Sequence, residues 1–192
     1  LLILWIVVSI YIPLVMVLVG SFMKFFGMFG IGNPFTTQHW ILVLSDPAFA
    51  KALRNSLILG FGVATLGVAV YALLGYTMQR GRFVGRSTLS VLVWIPWAIP
   101  GILLGLSLLW IFLSVRVFNF LYGTMLVLIF AVVLKDMPIG TQMFKASFAQ
   151  ITEELEEASR VAGAGPFTTF QRITMRLVAP MMVSIFVLVF MS

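Results

Sequence analysis

Three windows of this chain, residues 1–23, 56–78 and 87–115, contain no Asp, Glu, Lys or Arg. A bilayer's hydrocarbon core is about 30 Å thick, and about 20 apolar residues in a helix cross it. A fourth window, 117–134, reaches 117–143 once Lys135 and Asp136 are included, and residues 177–192 open a fifth. Soluble domains are about half apolar and about a quarter charged, whereas this chain is 61% hydrophobic and 9% charged, with a mean hydropathy of +1.13. No soluble core needs so much apolar surface, so much of it must face lipid. The expectation is an all-α membrane protein, a polytopic bundle with spans at about 1–23, 56–78, 87–115, 117–143 and 177–192, the last truncated. The chain starts and stops inside apolar runs, and we read it as part of a longer polypeptide. Residues 1–23 have no basic leader and are too long for a signal-peptide core, so they read as a span. Zero cysteines rule out disulfides and thiolate metal sites.

The loops set the orientation. "QRGRFVGRS" holds Arg80, Arg82 and Arg86 without an acid, and short loops with such an excess stay in the cytoplasm. Residues 79–86 and about 145–176 are then cytoplasmic and residues 24–55 lie outside. The net charge of +6 reflects this retention and is not a nucleic-acid footprint.

"WIPWAIPGILLGLSLLW" carries Pro96 and Pro100, which lack an amide hydrogen and should bend or break the third span. Gly101 and Gly105 form a small-xxx-small pair that lets another helix approach closely. Pro96, Pro100 and Gly101 are read either as a packing kink or as a gate. Lys135 and Asp136 fall at the inner side of the fourth span; adjacent helical side chains diverge by about 100°, so they need not pair. They line an inner pathway or snorkel to the interface.

Four of the six carboxylates sit in "ITEELEEASRVAGAG": Glu153, Glu154, Glu156 and Glu157. Thr152 can cap a helix whose first turn holds Glu153 and Glu154, where the macrodipole favours negative charge. Glu156 can pair with Arg160 four residues on. Gly163 or Gly165 then supplies a turn, Pro166 opens a second helix, and Phe170, Ile173 and Leu177 recur on one face of it. The result is a stiff projection into the cytoplasm, or else a solvated amphipathic loop.

This stretch resembles the EAA loop of binding-protein-dependent ABC importer permeases. Glu157, Ala158 and Ser159 match the Glu-Ala-Ala triplet, with Ser for the second Ala. Gly163 matches the glycine, Ala164 the small residue after it, Phe170 and Ile173 the apolar positions, and Pro180 the later proline. Ala162 stands where the family often has Asp, and Arg176 where the usual proline would fall. "WIPWAIPG", "LYGT" and "KDMPIGTQMF" look like the corresponding parts of ferric-iron-type permeases, in which one chain can hold two such halves. Aminoethylphosphonate, thiamine, polyamine and oxyanion permeases are similar.

The resemblance implies the permease fold, a bacterial inner-membrane location and transport by alternating access, with ferric iron one candidate cargo. Its implied partners are cytoplasmic ATP-binding subunits that bind ATP and Mg, an external solute-binding protein, a second permease half or subunit, and the bilayer. It also implies ATPase coupling by Glu157, Ala158, Ser159, Gly163 and Ala164. The chain has no GxxxxGK[ST] phosphate loop, so it is not its own ATPase. One His and two Asp, without Cys, cannot build an intramembrane iron cage from the usual ligands. His39, beside Trp40, reads as an interfacial structural residue, and no nucleophile, base and orienter set is present. The alternative function is a secondary transporter or channel subunit without an ATPase partner; a membrane-embedded enzyme is disfavoured.

Overall fold

The structure is a computed structural model that describes residues 1–27, 30 and 32–192. It divides into two compact units, Leu1–Ser56 and Leu57–Ser192. Among the described residues, three helices are long and apolar enough to cross a membrane, or up to five if each of two bent helix pairs counts as one span.

In the first unit, α1 (Leu4–Ser21) contains a π-helical stretch at Val7–Tyr11 and buries none of its span. A short antiparallel bridge follows: the Lys24 amide donates to the Pro34 carbonyl at 2.8 Å and the Thr36 amide to the Phe22 carbonyl at 2.6 Å. Trp40 on α2 (Gln38–Ser45) stacks on Phe22 at 5.8 Å, and its indole nitrogen donates to Ser21 Oγ at 3.3 Å. Asp46 then starts the next helix. Its carboxylate accepts from the Ala48 amide at 2.8 Å, and Pro47 sits at the first helical position, where no amide hydrogen is needed.

That helix, α3 (Pro47–Arg80), is longer than its uncharged window because Lys51 and Arg54 are good helix formers and nothing between Pro47 and Ser56 breaks the turn. In the second unit, its Leu57–Arg80 portion packs on α6 (Met125–Ala149). Lipid tails are as apolar as leucine, so helices in a bilayer associate through close packing and a few polar contacts. Both are present. A methyl added at Gly75 would lie 2.7 Å from Phe144 Cβ, and one at Gly140 would run into the Tyr71 ring. Tyr71 is fully buried and donates to the Val133 carbonyl at 2.7 Å. Pro138, also inside α6, lacks the amide hydrogen that would donate to the Leu134 carbonyl and so interrupts the helical ladder nearby. Val63, Val68, Ile129, Val133, Phe144, Phe148 and Ile185 complete this core.

Helices α4 (Arg86–Ala98) and α5 (Gly101–Ser114) meet at a 106° bend. After α6 come α7 (Glu153–Val161), α8 (Phe167–Leu177) and α9 (Ala179–Phe190), the last two bent by 68°. Residues Phe170–Thr174 are π-helical, which shifts the expected apolar face. Thr174 and Val178 are buried while Leu177 is half exposed, because the wider π turn advances the inward position by one residue.

Candidate functional site: the acidic helix and its roots

α7 begins where the chain leaves an extended residue, Thr152 (φ −68°, ψ 142°). Thr152 occupies the cap position, but its side chain makes no capping bond; the first turn closes through the Leu155 amide on the Thr152 carbonyl at 3.3 Å. Glu154 lies in the first turn and Arg160 in the last, so charge and macrodipole agree at both ends. The expected Glu156–Arg160 pair involves a side chain outside the described part of the structure.

The exit from α7 is built more tightly. Gly163 has φ +86°, and Gly165 has no positive φ, so Gly163 makes the turn. Its amide donates to the Arg160 carbonyl at 3.0 Å, and the Ala164 amide donates to the Ser159 carbonyl at 3.1 Å. These two bonds with a left-handed glycine are a Schellman motif, which satisfies the carbonyls a helix end leaves open. Ser159 Oγ and Thr169 Oγ1 lie 3.0 Å apart across the turn, tying α7 to α8. The expected coupling residues thus fall on one local device: Ser159, Gly163 and Ala164 in the turn, Glu157 and Ala158 exposed on the helix before it.

Glu157 also borders a cleft of about 450 Å³ lined by Tyr76, Thr77, Arg80, Gly81, Arg82 and Arg160. The basic loop and the acidic helix, read separately from the sequence, share this cleft. Tyr76 meets both strands of chain that lead into and out of the acidic segment, with ring centroids 5.4 Å from Phe148 and 4.6 Å from Phe170. Sequence reasoning missed Tyr76 and Thr169. The available signal was Tyr76 four residues before Arg80, one helical turn apart on one face.

The remaining expected residues lie elsewhere. Pro96 is buried within α4, and the break comes at Ile99 (ψ 126°) and Pro100 (ψ 133°). Proline forces the residue before it into the extended region, so Pro100 sets Ile99 and ends α4. Gly101 and Gly105 face open space, with nothing within 4 Å of an added methyl; among the described residues the pair meets no other helix. Lys135 and Asp136 do pair, at 3.4 Å, because a long lysine side chain can reach back over the 100° offset. Asp136 also accepts from Ser192 Oγ at 2.7 Å.

The helical fold has counterparts among known proteins. Residues 67–192 match the family model described as "Binding-protein-dependent transport system inner membrane component". This chain belongs to that family, and it is a multi-pass membrane protein. It is 29% identical over 158 residues to the inner membrane ABC transporter permease protein YcjP of Escherichia coli, covering 81% of this chain and 55% of that protein. It is also 29% identical over 169 residues to the ferric transport system permease protein FbpB of Actinobacillus pleuropneumoniae, covering 83% of this chain and 24% of that one. The chain therefore spans about half the length of the first relative (55%) and about a quarter of the second (24%). Its fold is similar to a chain in the crystal structure of a bacterial alginate ABC transporter in complex with an alginate pentasaccharide-bound periplasmic protein. The TM-score is 0.72 at 20% identity, over 97% of this chain and 67% of the other.

Proposed function

We propose that this chain is a transmembrane permease subunit, or part of one, of an ATP-driven ABC importer. The observation that carries the reading is the Gly163 turn. It holds an acidic helix rigidly and exposed at the end of membrane-length helices, which is what a membrane protein driven by a soluble ATPase needs. Glu157, Ala158, Ser159, Gly163 and Ala164 form the docking element, and cytoplasmic ATP-binding subunits bind and hydrolyse ATP with Mg. An external solute-binding protein delivers cargo, and a second permease half completes the pathway. Residues 79–86 and 145–176 face the cytoplasm. The break at Pro100 and Gly101 and the Lys135–Asp136 pair line or gate the route. Ferric iron is the cargo we propose first, on the similarity to the ferric permease.

Two measurements test this reading. The chain has no native cysteine, so single cysteines report sidedness. In intact cells, Thr37→Cys should react with an impermeant thiol reagent and Val84→Cys should not; the opposite pattern would overturn the orientation. Glu157→Lys should weaken binding of the purified ATP-binding subunit about tenfold, and unchanged binding would remove Glu157 from the docking element.

A further inference from the structure

The end of α3 grips both arms of the acidic segment. Arg80 is the last residue of α3. Its Nη2 donates to the Phe148 carbonyl at 3.3 Å and to the Ile151 carbonyl. Phe148 lies in the last turn of α6 and Ile151 two residues past its end, beside the negative end of a 25-residue helix, where a cation is favoured; the Phe148 carbonyl also accepts from the Ile151 amide at 3.3 Å. Tyr76, one turn earlier, wedges its ring edge-on between Phe148, on the arm leading in, and Phe170, on the arm leading out. Just behind them, at Gly75, an added methyl would sit 3.0 Å from the Lys145 amide nitrogen and 3.1 Å from the Thr141 carbonyl, so the two backbones touch there.

We propose that Tyr76 and Arg80 are positioning residues that clamp the acidic segment to α3, so that the segment and this helix move as one body. The inference rests on the importer reading and adds the mechanical link: force taken up at Glu157 passes through Phe148, Ile151 and Phe170 into α3. A basic residue that served only to keep its loop in the cytoplasm would have no need to reach two carbonyls of another segment. Lysine carries the same charge but presents one rotatable ammonium in place of a planar fork, and it can hold a carbonyl without reproducing the two-point geometry.

The absence of native cysteine allows spin labels at Leu73, 61% exposed, and Val161, 90% exposed. Their distance distribution is measured by pulsed electron resonance on the full chain in lipid nanodiscs, with and without ATP-binding subunits and Mg-ATP with vanadate. With the clamp intact the distribution is narrow and unmoved by nucleotide. Arg80→Ala at least doubles its width and makes it nucleotide-dependent; Arg80→Lys recovers most of the narrowing. An Arg80→Ala distribution as narrow as the parent's, or Arg80→Lys as broad as Arg80→Ala, would overturn the clamp. If Arg80→Ala does not insert, Tyr76→Leu replaces it, and an unchanged width there is equally contrary. The width is read in nucleotide-free chain as well, so the clamp is tested even if no ATP-binding subunit associates. That last outcome would sink the importer reading alone.

Discussion

Gly75 and Gly105 are the same residue in two apolar helices, yet their surroundings are opposite. An added methyl at Gly75 meets Phe144 Cβ at 2.7 Å and the α6 backbone at 3.0 Å, while one at Gly105 meets nothing within 4 Å. Gly75 is a contact surface, and its missing side chain is what brings α3 and α6 together. Gly105 is only a gap in the cover of α5. A glycine on a membrane helix therefore marks a place where helices are able to approach, and the partner opposite decides whether they do. The α3–α6 pair has that partner, together with the Tyr71 hydrogen bond. An interhelical hydrogen bond in a membrane contributes about 0.6 kcal/mol on average, so the close packing carries more of the association than the hydroxyl does.

This contrast can be broken most severely at Gly75. Gly75→Ala gains about 0.5–1 kcal/mol of helix propensity, but the atoms in its way include backbone and cannot rotate aside. Overpacking of that kind costs about 1–3 kcal/mol, so a lower melting temperature in detergent is expected; a value equal to the parent's would show that the helices separate freely. Pro100→Ala comes next, since a helix interior disfavours proline by about 3 kcal/mol. The bend between α4 and α5 should open, and a label pair at Val91 and Leu113 should move apart. An unchanged distance would assign the bend to packing instead of to the proline. The smallest effect is expected at Gly105→Ala, which should leave the melting temperature of the isolated chain unchanged or raise it slightly. A clear drop would mean that α5 packs more tightly than its open surroundings indicate.

Much of this was legible because lipid simplifies the code. Charge-free windows of membrane length located α1, α3 and the α4–α5 pair, and Pro100 marked its own break through the residue before it. The acidic helix and its glycine exit were legible too, since capping and turn chemistry act within a few residues. What stayed hidden depends on pairing between segments distant in sequence. Gly75 and Gly140 stand in no shared short motif, and Tyr71 looks like any aromatic until α6 supplies the Val133 carbonyl. The α8 face was misplaced by one residue because no local signal marked the π turn at Phe170–Thr174. Arg80 was read for its charge, and only the folded chain places its guanidinium on Phe148 and Ile151.

Under the proposed function a left-handed glycine holds the acidic helix in the posture an ATPase recognises, and one substitution series at Gly163 tests it. With φ at +86° and nothing within 4 Å of an added methyl, any cost there is backbone strain and not collision. Asparagine tolerates this region, whereas a β-branched residue loses about 1–2 kcal/mol or more. Affinity of the membrane-inserted chain for its purified ATP-binding subunit should fall in the order Gly, Asn, Val, with Gly163→Val weaker by about tenfold or more. Equal affinity for Gly163→Val and the parent would contradict the account and leave the acidic stretch as a solvated loop.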